Sequence, residues 1–286
     1  MTMAFTISAE RLRKLKREVP QVFGRSPAER FRDWSLWLGF LAVLGFGLWW
    51  IDASPTRIWD GLSKLGFLVR FMWPPSDGGA FWEHAQAMAE TMAMAFLGTV
   101  VAVVVALPLG FLGAKNIVPN WLFHFSLRRG FDTLRGIDSL VWALIFVSAV
   151  GMGPFAGVLA IAVSDVMVFS KLFAEAIENV ERKQIEGVRS AGAGDVQTLR
   201  LAVFPQVFPV MLSHVLYFFE GNVRSATILG IVGAGGIGLQ LSDRIRIGNW
   251  DEAAFIILMI LVVVAVIDNL SRRIRLKLIG TVSGQR

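Results

Sequence analysis

Long apolar runs, separated by short segments rich in charge, Gly and Pro, dominate the hydrophobic pattern of this chain. A helix that crosses a bilayer needs about 20 mostly apolar residues. Runs near this length predict six membrane-spanning helices, of which the third is short. The predicted spans are 34–51, 86–113, 137–152, 154–176, 205–232 and 253–270. The pattern therefore predicts an all-α, polytopic membrane protein.

The positive charges between the spans predict the orientation. Of the 28 Lys and Arg residues, 22 lie in segments that six alternating spans leave on one side of the membrane, and 5 lie on the other side. Because Lys and Arg in short loops are retained in the cytoplasm, both termini are predicted to be cytoplasmic. We expect a basic N-terminal segment at 1–33, a membrane domain at 34–270 and a basic tail at 271–286.

Composition excludes several classes of protein. Hydrophobic residues make up 55% of the chain and charged residues 17%, which is too little charge for an average soluble domain. Cysteine is absent, so thiolate metal sites and disulfide scaffolds are excluded. The sequence also lacks a G-x-x-x-x-G-K-[ST] phosphate loop and an H-E-x-x-H motif. We therefore expect no cofactor, no metal ion, no nucleic-acid partner and no ATP hydrolysis by this chain itself.

A glycine cluster after the fifth span could be mistaken for a nucleotide motif. Gly233, Gly235 and Gly238 fit the spacing G-x-G-x-x-G. The dinucleotide fold needs a strand before this motif, whereas a predicted membrane helix precedes it here. We interpret Gly233, Gly235, Gly236 and Gly238 as a tight turn at the outer end of the span, where backbones approach closely.

The segment between spans four and five predicts a short helix, a glycine turn, a second helix and a span that begins at a proline. Glu186 and Gly187 are followed by Arg189 and Gly192, and Pro205 starts the span. This order resembles the coupling loop of binding-protein-dependent ABC importer permeases, in which E-A-A, three residues, G, nine residues and I-x-L-P follow one another. Glu186, Gly192 and Pro205 match in identity, whereas Gly187 departs from that pattern.

Further segments resemble the phosphonate-type permeases of that family. The resemblance runs from about residue 70 to the C-terminus and is carried by 73–77, 106–116, 138–146, 151–157, 171–178 and 224–238. It implies a type I ABC importer permease fold and a bacterial inner-membrane location. It also implies a homodimer in the lipid bilayer, served by a cytoplasmic ATPase dimer and an extracytoplasmic phosphonate-binding protein. In this reading, residues 182–205 form the loop that engages the ATPase.

A few polar residues inside the predicted spans are candidates for the translocation pathway, because ionisable groups are costly in hydrocarbon. Glu220 and Arg224 lie four residues apart on one helical face, which predicts an internal ion pair. Alternatively, Arg224 attracts a phosphorus oxyanion, which suits guanidinium geometry. We interpret Asp165 mainly as a bracing hydrogen-bond partner and Ser164 as a candidate donor.

Three other functions remain open at this point. The first is an importer of the same architecture for a different small solute. The second is a membrane-embedded enzyme that uses Asp165 and His214, and the third is a passive channel. The enzyme predicts activity without an ATPase partner, and the channel predicts conductance from this chain alone.

Overall fold

The computed structural model of the protein describes residues 27–118 and 120–283, and all regular structure in them is helical. The basic stretch 1–26 lies outside the described residues. The helices are α1 Pro27–Trp50, α2 Pro55–Phe71, α3 Phe81–Gly113, α4 Trp121–Leu134, α5 Ser139–Val150, α6 Pro154–Glu178, α7 Arg182–Ser190, α8 Asp195–Thr198, α9 Phe204–Leu229, α10 Gly236–Ile247 and α11 Trp250–Ser283. Two π-helical turns, Leu199–Val203 and Gly230–Ala234, flank α9.

The chain forms two compact units, one through Leu68 and one from Val69 onward. In the first unit, α1 exposes large apolar side chains along its length, including Trp34, Phe40 and Trp49. Such a helix fits lipid surroundings better than water. The first unit also contains most of α2, and the second unit contains the helices from α3 onward and the candidate functional residues.

Within the described residues, five helical segments are long and apolar enough to cross a membrane. They agree with the predicted spans one, two, four, five and six. The predicted third span corresponds to α5, whose 12 residues extend only about 18 Å. It becomes a sixth candidate only together with the helical segment His124–Leu134, from which it is bent by 80°. Asp138 caps the N-terminus of α5 by accepting a hydrogen bond from the Leu140 N–H at 2.8 Å.

Close packing of α3 against α6 forms the centre of the second unit. A Cβ added to Gly98 would lie 2.7 Å from the Cβ of Ile161, and one added to Gly110 would lie 2.7 Å from the Cβ of Phe173. The two glycines therefore allow the helices to approach each other at two levels. Phe169 and Phe173 are fully buried on the α6 side. The closely packed pair α3–α6 therefore forms the core against which other helices of the second unit pack.

The segment 233–252, which lies between the predicted fifth and sixth spans, contains the helix α10. Its first residues are buried: Gly236, Ile237 and Gly238 pack inside the unit. The glycines concealed this helix in the sequence, because Gly is unfavourable in helix interiors and breaks the apolar period. The Arg244–Glu252 ion pair, at 2.6 Å, joins α10 to the start of α11.

Candidate functional site

A helical hairpin connects α6 to α9, and we call residues 182–198 the α7–α8 hairpin. Helix α7 ends at Ser190, and Gly192 follows with φ of +87°, a left-handed conformation that Gly adopts without strain. Helix α8 then begins at Asp195, and its side chain binds Arg189 at 3.0 Å across the turn. The helix–glycine turn–helix order that the sequence predicts is therefore present.

The side of the hairpin that faces away from the second unit is exposed. Glu186, Gly187, Arg189 and Gly192 are all exposed, whereas Ile185 packs against the buried cluster that contains Val203 and Val207. Helix α7 thus has one apolar side held by the unit and one charged side turned away from it. A surface of this kind fits a contact with another protein.

Pro205 lies near the start of α9 but does not begin an independent helix. The helical path is continuous from Asp195 through the π-helical turn Leu199–Val203 into α9. The Phe204 N–H bonds to the Leu199 carbonyl, five residues back. Because proline lacks an N–H and its ring displaces the preceding turn, the wider π turn accommodates it without a break. The hairpin is consequently joined to α9 by a continuous helix.

A buried polar cluster links α3, α6 and α9. The Asn222 side-chain amide donates to the Asp165 carboxylate and, at 2.9 Å, to the Thr99 hydroxyl. The Thr99 hydroxyl in turn donates to the Ala95 carbonyl at 2.6 Å. Ser164, next to Asp165, is half-buried. Sequence reasoning selected Asp165 and missed Asn222, although an Asn inside a predicted membrane span is itself a signal.

The predicted ion pair between Glu220 and Arg224 is wrong. Arg224 instead binds Asp268 of α11 at 3.4 Å, and Glu220 binds Arg275 of α11 at 2.8 Å. Each residue meets a charge on the neighbouring helix, because α9 and α11 pack against each other along this face. Sequence reasoning overlooked Asp268, which lies inside the predicted last span 253–270.

Arg224 differs from Glu220 in exposure. The Arg224 side chain is 53% exposed, whereas that of Glu220 is 13% exposed. Arg275 also lies over the Tyr217 ring, 5.7 Å from its centroid. The Glu220–Arg275 pair is therefore enclosed, whereas about half of the Arg224 side chain is exposed on the surface of α9.

The four candidate glycines after α9 form a turn in which the backbone folds back on itself. Gly233, Gly235 and Gly236 have φ values of +101°, +79° and +67°. A Cβ on Gly238 would collide with the Thr227 carbonyl of α9. The Ile237 N–H donates to the Thr91 hydroxyl of α3 at 2.9 Å, which fixes the start of α10.

An open depression of about 490 Å³ lies beside this turn. Its lining includes the backbone of Gly233, Gly235 and Gly236 together with the carboxylate residues Glu83 and Glu90. Two carboxylates disfavour an anion by charge repulsion. Of the candidate residues that the structure describes, Arg224 is thus the better site for an anion.

Comparison with known proteins gives a consistent result. The profile of the family described as "Binding-protein-dependent transport system inner membrane component" matches residues 106–278. The phosphite transport system permease protein PtxC of Stutzerimonas stutzeri is 37% identical over 248 residues, which cover 85% of this chain and 90% of that protein. The phosphate-import permease protein PhnE of Mycolicibacterium smegmatis is 38% identical over 216 residues, 76% of this chain and 40% of that protein.

The fold is also that of a solved transporter. The structure superposes on a chain of the inward-facing MetNI methionine ABC transporter with a TM-score of 0.61 and 23% identity, over 69% of this chain and 97% of that one. The predicted all-α type I ABC importer permease fold is confirmed.

Proposed function

This chain belongs to the family of binding-protein-dependent transport system inner membrane components and is a multi-pass permease subunit of an ABC importer; we propose that it imports phosphonate or a related phosphorus oxyanion by ATP-driven alternating access. The pathway is formed by two copies of the chain in the bilayer. A cytoplasmic ATPase dimer supplies the energy, and an extracytoplasmic binding protein delivers the anion.

The observation that carries this proposal is the exposed α7–α8 hairpin. Its charged residues Arg182, Glu186 and Arg189 face away from the unit, so a groove in the ATPase has a surface to bind. The hairpin connects α6 to α9, and the helix runs on from α8 into α9. When ATP closes the ATPase dimer, a displacement of the hairpin rocks these two helices and alternates access to the pathway.

Two observations support a phosphorus oxyanion as the substrate. The relatives' names assign phosphite transport to one and phosphate import to the other. Arg224 places a half-exposed guanidinium within a membrane-spanning helix. Its contact with Asp268 engages one of five N–H groups, so a bidentate contact with an oxyanion stays available.

The exposure of Arg224 also supports the homodimer. A charge that faces hydrocarbon costs several kcal/mol, about 3 on insertion scales. The face of α9 that bears Arg224 is therefore better placed against a second copy or a water-filled pathway than against lipid.

Uptake by the reconstituted complex tests the function. The permease, its ATPase and its binding protein are purified together and placed in liposomes with ATP. We expect uptake of a phosphorus oxyanion (phosphite, methylphosphonate or phosphate) that requires ATP and the binding protein, and that exceeds uptake of methionine at least tenfold. Preferred uptake of methionine would assign the chain to another solute. Flux without ATP would support a channel.

The role of Arg224 is tested with two variants. If Arg224 binds the oxyanion in a bidentate manner, Arg224→Lys should raise the KM for phosphite about tenfold, which corresponds to about 1.4 kcal/mol. If Arg224 only neutralises Asp268, the double variant Arg224→Met/Asp268→Met should import like the wild type. We expect this double variant to stay inactive while it inserts normally. Normal import by either variant contradicts the proposed role.

A further inference from the structure

The first end of the α7–α8 hairpin is attached to the membrane helices through specific hydrogen bonds, and its second end continues through the π-helical turn into α9. Glu178 is the last residue of α6, four positions before α7 begins. One of its carboxylate oxygens accepts the Lys115 backbone N–H at 2.7 Å, and the other accepts Arg128 of α4 at 2.7 Å. The Asn116 side chain also donates to the Ile177 carbonyl at 2.8 Å. The end of α6 is thus held by two different elements.

The connection from α6 to α7 is attached to α9 as well. The Glu181 N–H, directly before α7, donates to the Gln206 side-chain carbonyl at 3.1 Å. The Gln206 amide donates to the Ala202 carbonyl at 2.8 Å, which fixes its orientation one turn into α9. Val180, which lies between Glu178 and Glu181, packs against the buried cluster that contains Val203 and Val207.

The contacts at Glu178 are stronger than ordinary surface pairs. The Glu178 and Arg128 side chains are only 21% and 25% exposed. Charge-assisted hydrogen bonds at 2.7 Å in such surroundings are roughly twice as strong as neutral ones. By contrast, exposed ion pairs contribute little to stability. The strongest hydrogen bonds of this connection therefore lie at Glu178, where α6 ends and the connection to the hairpin begins.

We propose that Glu178 and Gln206 are positioning residues at the first end of the α7–α8 hairpin. Glu178 holds the end of α6 against α4 and Lys115, and Gln206 ties the residue before α7 to α9, so that a displacement of α7 moves both helices instead of bending the connection 179–181. This inference rests on the proposed function, in which an ATPase moves the hairpin. It adds residues outside the Glu186–Gly192 turn to the coupling machinery. Without these contacts, ATP is hydrolysed but the helices move less.

The efficiency of coupling is the property to measure. Glu178→Gln removes the charge of the pair but keeps an acceptor for the Lys115 N–H, and Gln206→Leu removes the acceptor of the Glu181 N–H at similar volume. In the reconstituted complex with phosphite, we expect each variant to lower phosphite imported per ATP hydrolysed at least threefold, and the double variant at least tenfold. The ATPase rate should stay within twofold of the wild type.

A matched control is present on the same two helices. Lys171 of α6 binds Asp132 of α4 at 2.6 Å, two turns away from Glu178 along α6. Asp132→Asn breaks this pair, and we expect an unchanged import-to-ATP ratio. An equal loss in Asp132→Asn would assign the effect to general docking of α4 and overturn the proposal. A parallel loss of ATPase and import, with the ratio intact, would also overturn it.

A second measurement does not depend on the ATPase. Because the sequence contains no cysteine, Lys183→Cys on α7 and Val210→Cys on α9 can be spin-labelled without background. In the purified permease, we expect the distance distribution between the labels to be narrow, and at least twofold broader in the double variant. Equal widths would overturn the proposal. If the double variant does not fold, the two single variants decide the same question.

The two readouts separate this inference from the proposed function. A wild-type complex that shows no substrate-stimulated ATPase activity would overturn the proposed function, whatever the label distances are. Normal coupling in the wild type, together with unchanged coupling in the variants, would overturn only the role of Glu178 and Gln206.

Discussion

The single side chain of Asn222 connects three helices of the second unit, because it donates from α9 to Asp165 of α6 and to Thr99 of α3. Asn222→Leu leaves the Asp165 carboxylate without the amide that binds it. Removing one partner of a buried charged hydrogen bond costs about 3 kcal/mol, whereas replacing both partners by apolar groups can be nearly neutral. We expect Asn222→Leu to lower thermal stability in detergent clearly, and Asp165→Leu/Asn222→Leu to restore most of it.

Transport by the restored double variant then separates two roles of Asp165. If the cluster only braces the helices, Asp165→Leu/Asn222→Leu should import phosphite at a rate close to the wild type. A stable double variant without import would instead place Asp165 on the pathway. A double variant as unstable as Asn222→Leu would contradict the bracing role.

Gly192 is constrained by its backbone conformation and not by space. A Cβ at this position has no neighbour within 4 Å, but φ is +87°. A β-branched residue pays about 1–2 kcal/mol there, enough to change the turn. We expect Gly192→Val to abolish substrate-stimulated ATPase activity at an unchanged amount of inserted protein, and Gly192→Asn to keep most of it, because Asn tolerates left-handed backbone.

Gly187 provides the control for this prediction. It lies in α7, and an added Cβ has no neighbour within 4 Å. Gly187→Ala should therefore leave ATPase stimulation intact and favour the helix by about 1 kcal/mol. Loss of stimulation in Gly187→Ala, with full activity in Gly192→Val, would contradict the importance of the left-handed turn.

Single residues show where sequence reasoning reaches its limit. The four-residue spacing of Glu220 and Arg224 is compatible with an ion pair, yet each residue binds a charge on α11. A helical period specifies which residues share a face, but not which helix packs on that face. Asn222 was overlooked for the same reason, since its partners Asp165 and Thr99 lie on two other helices.

At the scale of elements, the glycine turn after α9 depends on close backbone contact. A Cβ on Gly238 would lie 3.0 Å from the Gly230 Cα and would collide with the Thr227 carbonyl. These are backbone atoms that cannot rotate away, so overpacking should cost at least 1–3 kcal/mol. We expect Gly238→Ala to lower the thermal midpoint and the yield of inserted protein.

Gly221 in α9 is the matched control, because a Cβ there has no neighbour within 4 Å. Gly221→Ala should be neutral or slightly stabilising in the same thermal assay. Equal effects of Gly221→Ala and Gly238→Ala would show that helix propensity, and not the close approach, explains the result.

Most elements were predictable because hydrophobic length and period are local properties. Spans one, two, four, five and six agree with α1, α3, α6, α9 and α11. The length of α5 was overestimated because the apolar run continues through Gly151 and Met152, whereas the helix ends at Val150. Helix α10 was missed because its buried glycines meet other backbone segments, which no local pattern records.

At the scale of the whole molecule, the family and the fold could be recognised from spaced motifs, since Glu186, Gly192 and Pro205 keep their separations across the hairpin. Such motifs do not show which surfaces of a single chain remain exposed. Arg224 and Ile228 of α9, with Ile231 of the π-helical turn that follows, are exposed at helical spacing and form one face, which we call the α9 face. The apolar residues Leu258, Leu261, Val262 and Val266 form an exposed face on α11.

The two faces differ in how well they fit contact with lipid, and this difference predicts which face meets a second copy. The α11 face is purely apolar and suits lipid, whereas the α9 face contains a charge that lipid disfavours. Because the chain has no cysteine, Ile228→Cys introduces a single thiol. We expect mild oxidation in membranes to link two copies of Ile228→Cys into a disulfide dimer, and Val262→Cys, at 62% exposure, to stay monomeric. Cross-linking of Val262→Cys alone would place the second copy on α11 and leave Arg224 outside the shared pathway.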